Sequence, residues 1–221
     1  MNRNVFFPTT IVDGFFEQPD EVRKFALSQD FYVSQNHAYP GKRTRQLHEI
    51  NPILFYGIAK KITNLFYQEN IHPHFLCEAT FHSVSGQYES GWIHKDQDMI
   101  TALVYLTPDN YQGTSLYRKK DYFSNHSEWT ADKQEAYKNL TSNSDSLKKN
   151  NSMFEETMNV KGLYNRMFLF DSNIYHGAHD YFGDELENSR LTLIAFFKKL
   201  CFDGNPFPIP RMNMNFPFGI L

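Results

Sequence analysis

The sequence predicts a mainly β fold with flanking helices, most simply a closed double-sheet jelly roll. Helical patterns come first in the chain, and short strand-like segments with a polar insertion follow from about residue 75 onward. Aromatic residues, which favour sheets, make up 16% of the chain. With 221 residues, the chain can bury the core of a single domain.

The predicted helices lie in residues 1–74, which are expected to support the sheet. Pro19 opens the first helix, with Asp20 and Glu21 near its positive end, and this helix ends before Phe31. A second helix is predicted from about residue 52 to residue 67. Its expected apolar stripe consists of Ile53, Tyr56, Ile58, Ile62 and Leu65.

Residues 75–198 are predicted to form the jelly-roll core. The expected strands are FLCEATFHSV, QYESGWIH, MITALVYLTP, GTSLYR, NRMFLFDS and RLTLIAFFKK. A polar insertion at about 118–152 interrupts them and is expected to carry surface helices near 131–139. Because long loops are uncommon unless they are functional or disordered, we expect this insertion to act as a lid or substrate-selecting surface. The Pro- and Phe-rich residues 199–221 are expected to form an extended tail.

Composition narrows the functional classes. A formal charge of −3 argues against nucleic-acid binding by bulk electrostatics. The opening residues lack the apolar core of a signal peptide, and no run of 18 apolar residues predicts a membrane span. The expected location is therefore cytoplasmic, with no membrane partner. Cys77 and Cys201 are too few for a disulfide scaffold, and both are expected to be reduced and buried.

A metal site is indicated by a polar cluster between two sheet-like segments. His94 and Asp96 are two residues apart, so in a strand both side chains point to the same side. Imidazole nitrogen and carboxylate oxygen are ligands that suit iron. His176, just after the apolar segment 167–170, is the best candidate for a third ligand. Two histidines and one carboxylate form the facial triad of non-haem Fe(II) oxygenases, which leaves coordination positions open.

Ordered motifs within residues 75–198 extend this pattern. After His94-x-Asp96 come TALVYL at 101–106, Gln112-Gly113-Thr114, and NRMFLFDSNIYHG at 165–177, with Arg190 opening the last core strand. In this order they resemble the Fe(II)/2-oxoglutarate-dependent dioxygenases, nearest the prolyl-4-hydroxylase-like branch. The N-terminal half resembles phage and bacterial members of unassigned substrate. Gln112 stands where that family has the first glycine of a Gly-Gly-x-Thr motif.

The resemblance implies a double-stranded β-helix (jelly roll, cupin-like) that holds Fe(II) through His94, Asp96 and His176. It also implies 2-oxoglutarate and O2 as co-substrates, with a C–H bond hydroxylated and succinate and CO2 released. Arg190 would bind the far carboxylate of 2-oxoglutarate, and the Tyr105 hydroxyl would assist it. Because His176 and Arg190 are farther apart than is usual in the family, residues 180–188 are expected to loop out.

Several residues could take either of two roles. Asp98 competes with Asp96 as the carboxylate ligand, and His179 competes with His176. His82 is interpreted as a core or pocket-lining residue. Surface or ion-pair roles are expected for Arg43, Arg45 and Arg166, although the first two could also face the mouth of the active site. Tyr88 and Trp92 are expected to pack in the core, or else to wall the pocket.

Two further functional classes fit the same pattern. A cupin-like metal-dependent isomerase or hydrolase could use the three ligands without Arg190, and a non-catalytic jelly-roll binding protein would need no iron. For an oxygenase, the substrate stays open among small molecules, including free amino acids and nucleobases, and protein side chains. The sequence indicates no oligomeric state.

Overall fold

The computed structural model describes residues 7–34, 39–65, 73–88, 90–109, 111–120, 137 and 145–202. In chain order the elements are β1 (Thr10–Val12), α1 (Pro19–Leu27), β2 (Tyr32–Val33), β3 (Lys42–Arg43), α2 (Leu47–Ile50), α3 (Pro52–Asn64), β4 (Pro73–Val84), β5 (Ile100–Tyr105), β6 (Tyr111–Lys119), α4 (Asp145–Ser152), β7 (Phe154–Gly162), β8 (Met167–Asp171), β9 (Tyr175–Ala178) and β10 (Arg190–Phe202). No helix in this described part is long and apolar enough to span a membrane.

The strands form two antiparallel sheets. The larger sheet has the order β1-β8-β5-β10-β4-β3-β2, and the smaller has the order β7-β6-β9. A bridge between His94 and His176 adds one more chain segment to the edge of the smaller sheet, beside β9. The sheets face each other across an apolar cluster formed by Leu103, Tyr105, Leu116, Val160, Phe168, Phe170 and Ile194. This arrangement confirms the predicted jelly roll.

Strand β10 shows how the larger sheet separates two environments. Leu191, Leu193 and Ala195 pack with the helices, whereas Ile194 packs between the sheets. Successive side chains of a strand point to opposite faces, so this period-two pattern places apolar groups in both layers. Helix α1 buries Ala26 in the apolar cluster that also contains Leu191, Leu193 and Ala195.

Helix α3 begins as predicted but buries a different stripe. Asn51 caps its N-terminus by accepting a hydrogen bond from the Leu54 amide at 3.0 Å, and Pro52 occupies the first turn. The buried side chains are Phe55, Ile58, Ala59, Ile62 and Thr63. The predicted stripe was wrong at Ile53, Tyr56 and Leu65, which are 87%, 63% and 39% exposed. Residues three and four apart share a helix face, and the buried set follows that spacing more closely.

Further differences concern segments with weak local signals. QYESGWIH at 87–94 was predicted to be a strand, but its described residues form only the bridge at His94. Strands β7 and β9 were not predicted. Most side chains of β7 are exposed, so its sequence lacks the apolar alternation that indicates a strand. Strands β2 and β3 come from the N-terminal region, which therefore adds to the sheet as well as supplying helices. The predicted tail from residue 203 and most of 131–139 lie outside the described residues.

The described cysteine matches its prediction. Cys77 is a buried free thiol. Burial raises its pKa to about 12, so it remains protonated and unreactive near neutral pH. The side chain of Cys201 lies outside the described part of the structure.

Candidate metal centre and active-site cavity

The structure brings His94, Asp96 and His176 together. One potential ligand atom from each residue lies within 4.8 Å of the other two. Nε2 of His94 is 3.4 Å from Asp96 Oδ1, and Nε2 of His176 is 3.3 Å from Asp96 Oδ2. At these separations one divalent ion could contact all three groups. The predicted convergence is therefore observed, although metal binding itself stays a prediction.

Backbone pairing places the two histidines side by side. The amide of His94 donates to the His176 carbonyl at 3.0 Å, and the His176 amide donates back at 2.8 Å. The Asp96 amide then donates to the Ser172 carbonyl at 2.9 Å, which continues the extended path. His94 and Asp96 lie outside the regular strands. Their backbone hydrogen bonds hold this segment against β9 and the turn that precedes it.

Both imidazoles present Nε2 to the same point. Nδ1 of His94 lies 2.7 Å from the Trp92 carbonyl oxygen, and Nδ1 of His176 lies 2.9 Å from that of Ile174. Because a carbonyl accepts only, each Nδ1 acts as a donor, so that a neutral ring would offer its Nε2 lone pair to a metal ion. Such outer hydrogen bonds fix the tautomer and orientation of metal-binding histidines.

Asp96 is held as a carboxylate. Burial alone would raise its pKa, but the contacts with His176 and His94 outweigh burial and lower the pKa well below the usual range. The Thr101 hydroxyl donates to Asp96 Oδ2 at 3.1 Å and lies 2.8 Å from the Ser172 hydroxyl. An ionised, oriented carboxylate beside two Nε2 lone pairs is a donor set that fits Fe(II).

Arg190 is buried at the start of β10, with 5% of its surface exposed. Its guanidinium donates to the carbonyl oxygen of Gly113 at 2.7 Å and to the Thr114 hydroxyl at 3.0 Å, with a longer bond of 3.4 Å to the Asp180 carbonyl. Among the described residues, no carboxylate lies within ion-pair distance of it. A buried guanidinium held by neutral acceptors keeps its positive charge available for an anion.

A glycine makes this arrangement possible. Gly113 has φ +78 at a register shift in β6, and a Cβ atom there would lie 2.1 Å from the Val160 carbonyl oxygen. Its conformation turns its carbonyl toward Arg190 and the amide of His179. Only glycine adopts this conformation without strain, which explains the Gly-Thr pair in the sequence.

Tyr105 is fully buried beside Arg190, whose guanidinium carbon lies 5.6 Å from its ring centroid. Its hydroxyl is buried without a hydrogen-bond partner in the described structure. Burial raises its pKa, so the group is a neutral phenol that can donate. Tyr105 is not among the cavity-lining residues, and its predicted contact with 2-oxoglutarate stays a prediction.

A cavity of about 430 Å³ contains the candidate ligands and Arg190. Polar lining groups include His82, Thr101, Thr114 and Thr192. Its apolar and aromatic lining includes Tyr39, Trp92, Leu103, Tyr137, Tyr181, Ile194 and Phe196. A concave, mostly apolar site with a few convergent polar groups is typical of small-molecule binding.

Neither of the two competing ligands, His179 and Asp98, belongs to the group that converges on one point. His179 places Nε2 2.7 Å from Glu156 Oε2 and is not part of the metal-ligand group. Asp98 lines the cavity but is also outside that group. Residues 180–188 form the predicted loop. At its end, the Ser189 amide donates a hydrogen bond to the Glu185 carbonyl at 3.0 Å.

Three ring-bearing residues around the cavity, Trp92, His82 and Tyr88, each take a definite place in the structure. Trp92 is buried and lines the cavity, and His82 lines it from β4. Tyr88 packs edge-on against Tyr137 and Tyr181, at 6.2 Å and 6.3 Å between ring centroids. All three positions agree with one of the two roles, core packing or pocket lining, that the sequence predicted for them.

The three arginines for which surface or ion-pair roles were expected lie in different environments. Arg166 forms an ion pair with Asp13 at 2.6 Å, as predicted. Arg45 is exposed, as expected for a surface residue, whereas Arg43 lines the cavity, which agrees with the alternative that it faces the mouth of the active site. Sequence reasoning also missed Thr101 as a partner of Asp96, although its position at the start of the strand after the metal pair was a usable signal.

Comparison of the sequence with protein families gives one match. A model of a family of unknown function, DUF6445, matches residues 6–197. The chain belongs to this family. The sequence has no match among curated proteins.

Solved structures provide further similarity. HygX from Streptomyces hygroscopicus with nickel and 2-oxoglutarate bound is 12% identical with a TM-score of 0.50, over 86% of this chain and 83% of HygX. The non-heme alpha ketoglutarate dependent carbocyclase SnoK from nogalamycin biosynthesis is 9% identical with a TM-score of 0.50, over 91% and 83%. These similarities show the fold. A prolyl-4-hydroxylase from Pseudomonas putida, 11% identical over 86% of this chain and 92% of its own, has a TM-score of 0.42, and the branch within the superfamily stays a prediction.

Proposed function

We propose that this DUF6445 protein is an Fe(II)- and 2-oxoglutarate-dependent oxygenase that hydroxylates a C–H bond. His94, Asp96 and His176 would hold the metal, and Arg190 would bind the far carboxylate of 2-oxoglutarate. The structures of HygX, with iron in one case and with nickel and 2-oxoglutarate in another, support the proposal because they share the fold.

One observation carries the proposal. A two-histidine, one-carboxylate group lines the same cavity as a buried arginine that has no acidic partner among the described residues. A metal-dependent hydrolase or isomerase explains the first feature but gives Arg190 no ligand. A non-catalytic binding protein gives no reason for His94, Asp96 and His176 to converge on one point. 2-Oxoglutarate carries a keto-acid group that can chelate a metal and a second carboxylate that requires a cation.

The protein residues have distinct tasks in this reaction. His94 and His176 would donate Nε2 lone pairs, and Thr101 would keep Asp96 in its ligating orientation. Arg190 would orient 2-oxoglutarate by two-point contact with its carboxylate. When bound, Fe(II) and 2-oxoglutarate would supply the oxidation, in which O2 gives one oxygen atom to the substrate and one to the succinate that forms with CO2.

The apolar lining protects this chemistry. Leu103, Ile194 and Phe196 line the cavity from the larger sheet and would displace water from part of it once the substrate is bound. A dry cavity strengthens the charge interactions of the bound groups and limits side reactions. The protein thus contributes ligand geometry, an anion anchor and shielding.

Anaerobic addition of Fe(II) and 2-oxoglutarate tests the proposal. The metal–keto-acid chelate should give a weak visible absorption band, and aerobic incubation should release succinate even without primary substrate. A metal hydrolase would bind the ion without a band that depends on 2-oxoglutarate. A non-catalytic protein would give neither signal, and either result would overturn the proposal.

A further inference from the structure

Arg43 is a second cation in the cavity, and it has no anionic partner among the described residues. Its guanidinium carbon lies 3.7 Å from the Tyr39 ring centroid and 5.5 Å from that of Phe196. Its Nε is buried without a hydrogen bond. In the described part of the chain, no carboxylate lies within ion-pair distance of Arg43 and no acceptor receives its N–H groups. Because unpaired buried donors are costly, such a guanidinium is a candidate for ligand binding.

The surrounding structure holds Arg43 in place. Gly41 has φ +71, and a Cβ there would lie 2.2 Å from the Ser83 carbonyl oxygen, so β3 packs closely against β4. His82 on β4 lies opposite Arg43 and places Nε2 2.7 Å from the Pro40 carbonyl oxygen. Its ring also contacts Tyr39 edge-on, with 5.6 Å between centroids. The pairing of β3 with β4 and the ring of Tyr39 therefore orient the Arg43 guanidinium before any ligand binds.

Arg43 has no ion-pair partner among the described residues under the proposed function. The formal charges of a ferrous ion, Asp96, Arg190 and doubly charged 2-oxoglutarate cancel. Lys198, which also lines the cavity, is paired with Glu78 at 2.6 Å. Asp98 also lines the cavity and has a formal charge equal and opposite to that of Arg43, but no ion pair joins the two. A substrate carboxylate would supply the direct partner that Arg43 lacks among the described residues.

The shape of the site favours a small carboxylic acid. The Tyr39 ring covers one flat face of the guanidinium, which leaves its edge for the two-point geometry of a carboxylate. A cavity of about 430 Å³ must hold both 2-oxoglutarate and the substrate. Leu103, Ile194 and Phe196 provide an apolar wall for the rest of the molecule.

We infer that Arg43 binds a carboxylate of the primary substrate and that the substrate is a small organic acid. This inference rests on the proposed function and names the substrate class of that same site. Arg43 would act as a specificity-determining residue, separate from the 2-oxoglutarate anchor at Arg190.

The test uses pairs of compounds that differ in charge. Free L-amino acids, 2-hydroxy acids and N-acetyl amino acids are each compared with their primary amides in the Fe(II)- and 2-oxoglutarate-loaded protein. Inorganic phosphate and thymidine monophosphate form a second arm. At least one acid should raise succinate release above the substrate-free rate, with its amide weaker by tenfold or more.

Variants then assign the effect to Arg43. Arg43→Gln should raise the KM for the stimulating acid by thirtyfold or more while the anaerobic 2-oxoglutarate band and its titration midpoint change less than threefold. Arg43→Lys should restore part of the acid response. Arg45→Gln, an exposed change two residues away, should match the wild type in every measurement. Circular dichroism melts identify a variant that is unfolded, and the Lys variant then carries the comparison.

The outcomes separate the two proposals. No band in the wild type would overturn the proposed function together with this inference. A normal band with stimulation by amides or phosphates, or by no acid, would overturn the inference alone. Loss of the band in Arg43→Gln but not in Arg190→Gln would exchange the roles of the two arginines and also overturn it.

Discussion

Two arginines reach the same cavity from strands on either side of β4, yet their surroundings differ. Arg190, on β10, donates to two backbone carbonyls and a threonine hydroxyl. Arg43, on β3, contacts aromatic rings and donates no hydrogen bond to the described residues. Arg190 is therefore fixed by the protein itself, whereas Arg43 is oriented by aromatic rings and leaves its buried Nε without a partner.

The difference separates two kinds of anion recognition. A guanidinium that already has partners loses little freedom when a ligand binds, which suits a co-substrate needed in every turnover. A guanidinium without partners remains destabilising until the right anion arrives, which favours discrimination between charged and neutral substrates. Four changes test this comparison, from the largest expected effect to the smallest.

The largest effect should follow loss of a metal ligand, because both arginines serve one metal centre under the proposed function. Asp96→Ala and His176→Ala should lower Fe(II) affinity by at least about 100-fold and abolish succinate release. Loss of a residue that only supports a metal ligand already costs up to about 100-fold, and loss of the ligand itself should cost at least as much. Equilibrium dialysis and the succinate assay measure both. His179→Ala is the matched control and should retain metal. Equal losses in that variant would contradict the assignment of His176.

Removing the anchor should have the next largest effect. Arg190→Gln should weaken 2-oxoglutarate binding by roughly 30- to 5,000-fold, because truncating one partner of a buried charge pair costs about 2–5 kcal/mol. Metal binding should persist. Titration of the anaerobic absorption band gives the affinity. If Arg190→Gln binds 2-oxoglutarate normally, Arg190 is not the anchor and the comparison fails.

The two arginines should also differ in their contribution to stability. Arg190→Met should lower the free energy of unfolding by about 2 kcal/mol, because the Gly113 carbonyl and the Thr114 hydroxyl lose a partner in a buried site. Arg43→Met should be neutral or stabilising by about 1 kcal/mol, because it replaces an unsatisfied cation with an apolar side chain.

Urea unfolding of both methionine variants, without metal or 2-oxoglutarate, gives the two free energies. A fall of similar size in Arg43→Met and Arg190→Met would show that Arg43 is a structural residue. The comparison would then lose its basis.

The smallest effect concerns pH. Burial, together with the charges of Arg43 and Arg190, lowers the pKa of His82 well below its usual value, despite the opposing bond to the Pro40 carbonyl. In the unfolded chain His82 binds a proton near pH 6.5. Because the unfolded state then binds more protons, stability should fall by up to about 1.4 kcal/mol per pH unit as pH drops below about 6.5.

Urea unfolding at pH 7 and pH 5.5 measures this dependence. His82→Gln should show a shallower fall than the wild type, since it removes the titrating group. Arg43→Met should give an intermediate slope, because it removes one of the charges that oppose protonation of His82. Equal slopes in all three proteins would exclude His82 as the source.

The sequence alone determined the features that depend on local spacing. The period-two alternation of β10, the Pro19 and Pro52 helix starts and the ordered His94-x-Asp96, His176 and Arg190 motifs all predicted what the structure contains. Weak local patterns failed where tertiary contacts decide. Strand β7 has a mostly exposed face, and the stripe of α3 depends on which side meets the sheet.

Tertiary structure alone decided the difference between Arg43 and Arg45. Both follow a Pro-Gly turn and are two residues apart, so a continued strand would have pointed them to the same side. Strand β3 ends at Arg43, and the Thr44 amide donates to the Phe81 carbonyl at 3.0 Å before a bend carries Arg45 outward. A strand's length is set by the partner it pairs with, and that partner, β4, begins about thirty residues later in the chain. Local sequence encodes which side chains are present, whereas long-range pairing determines which of them face the cavity.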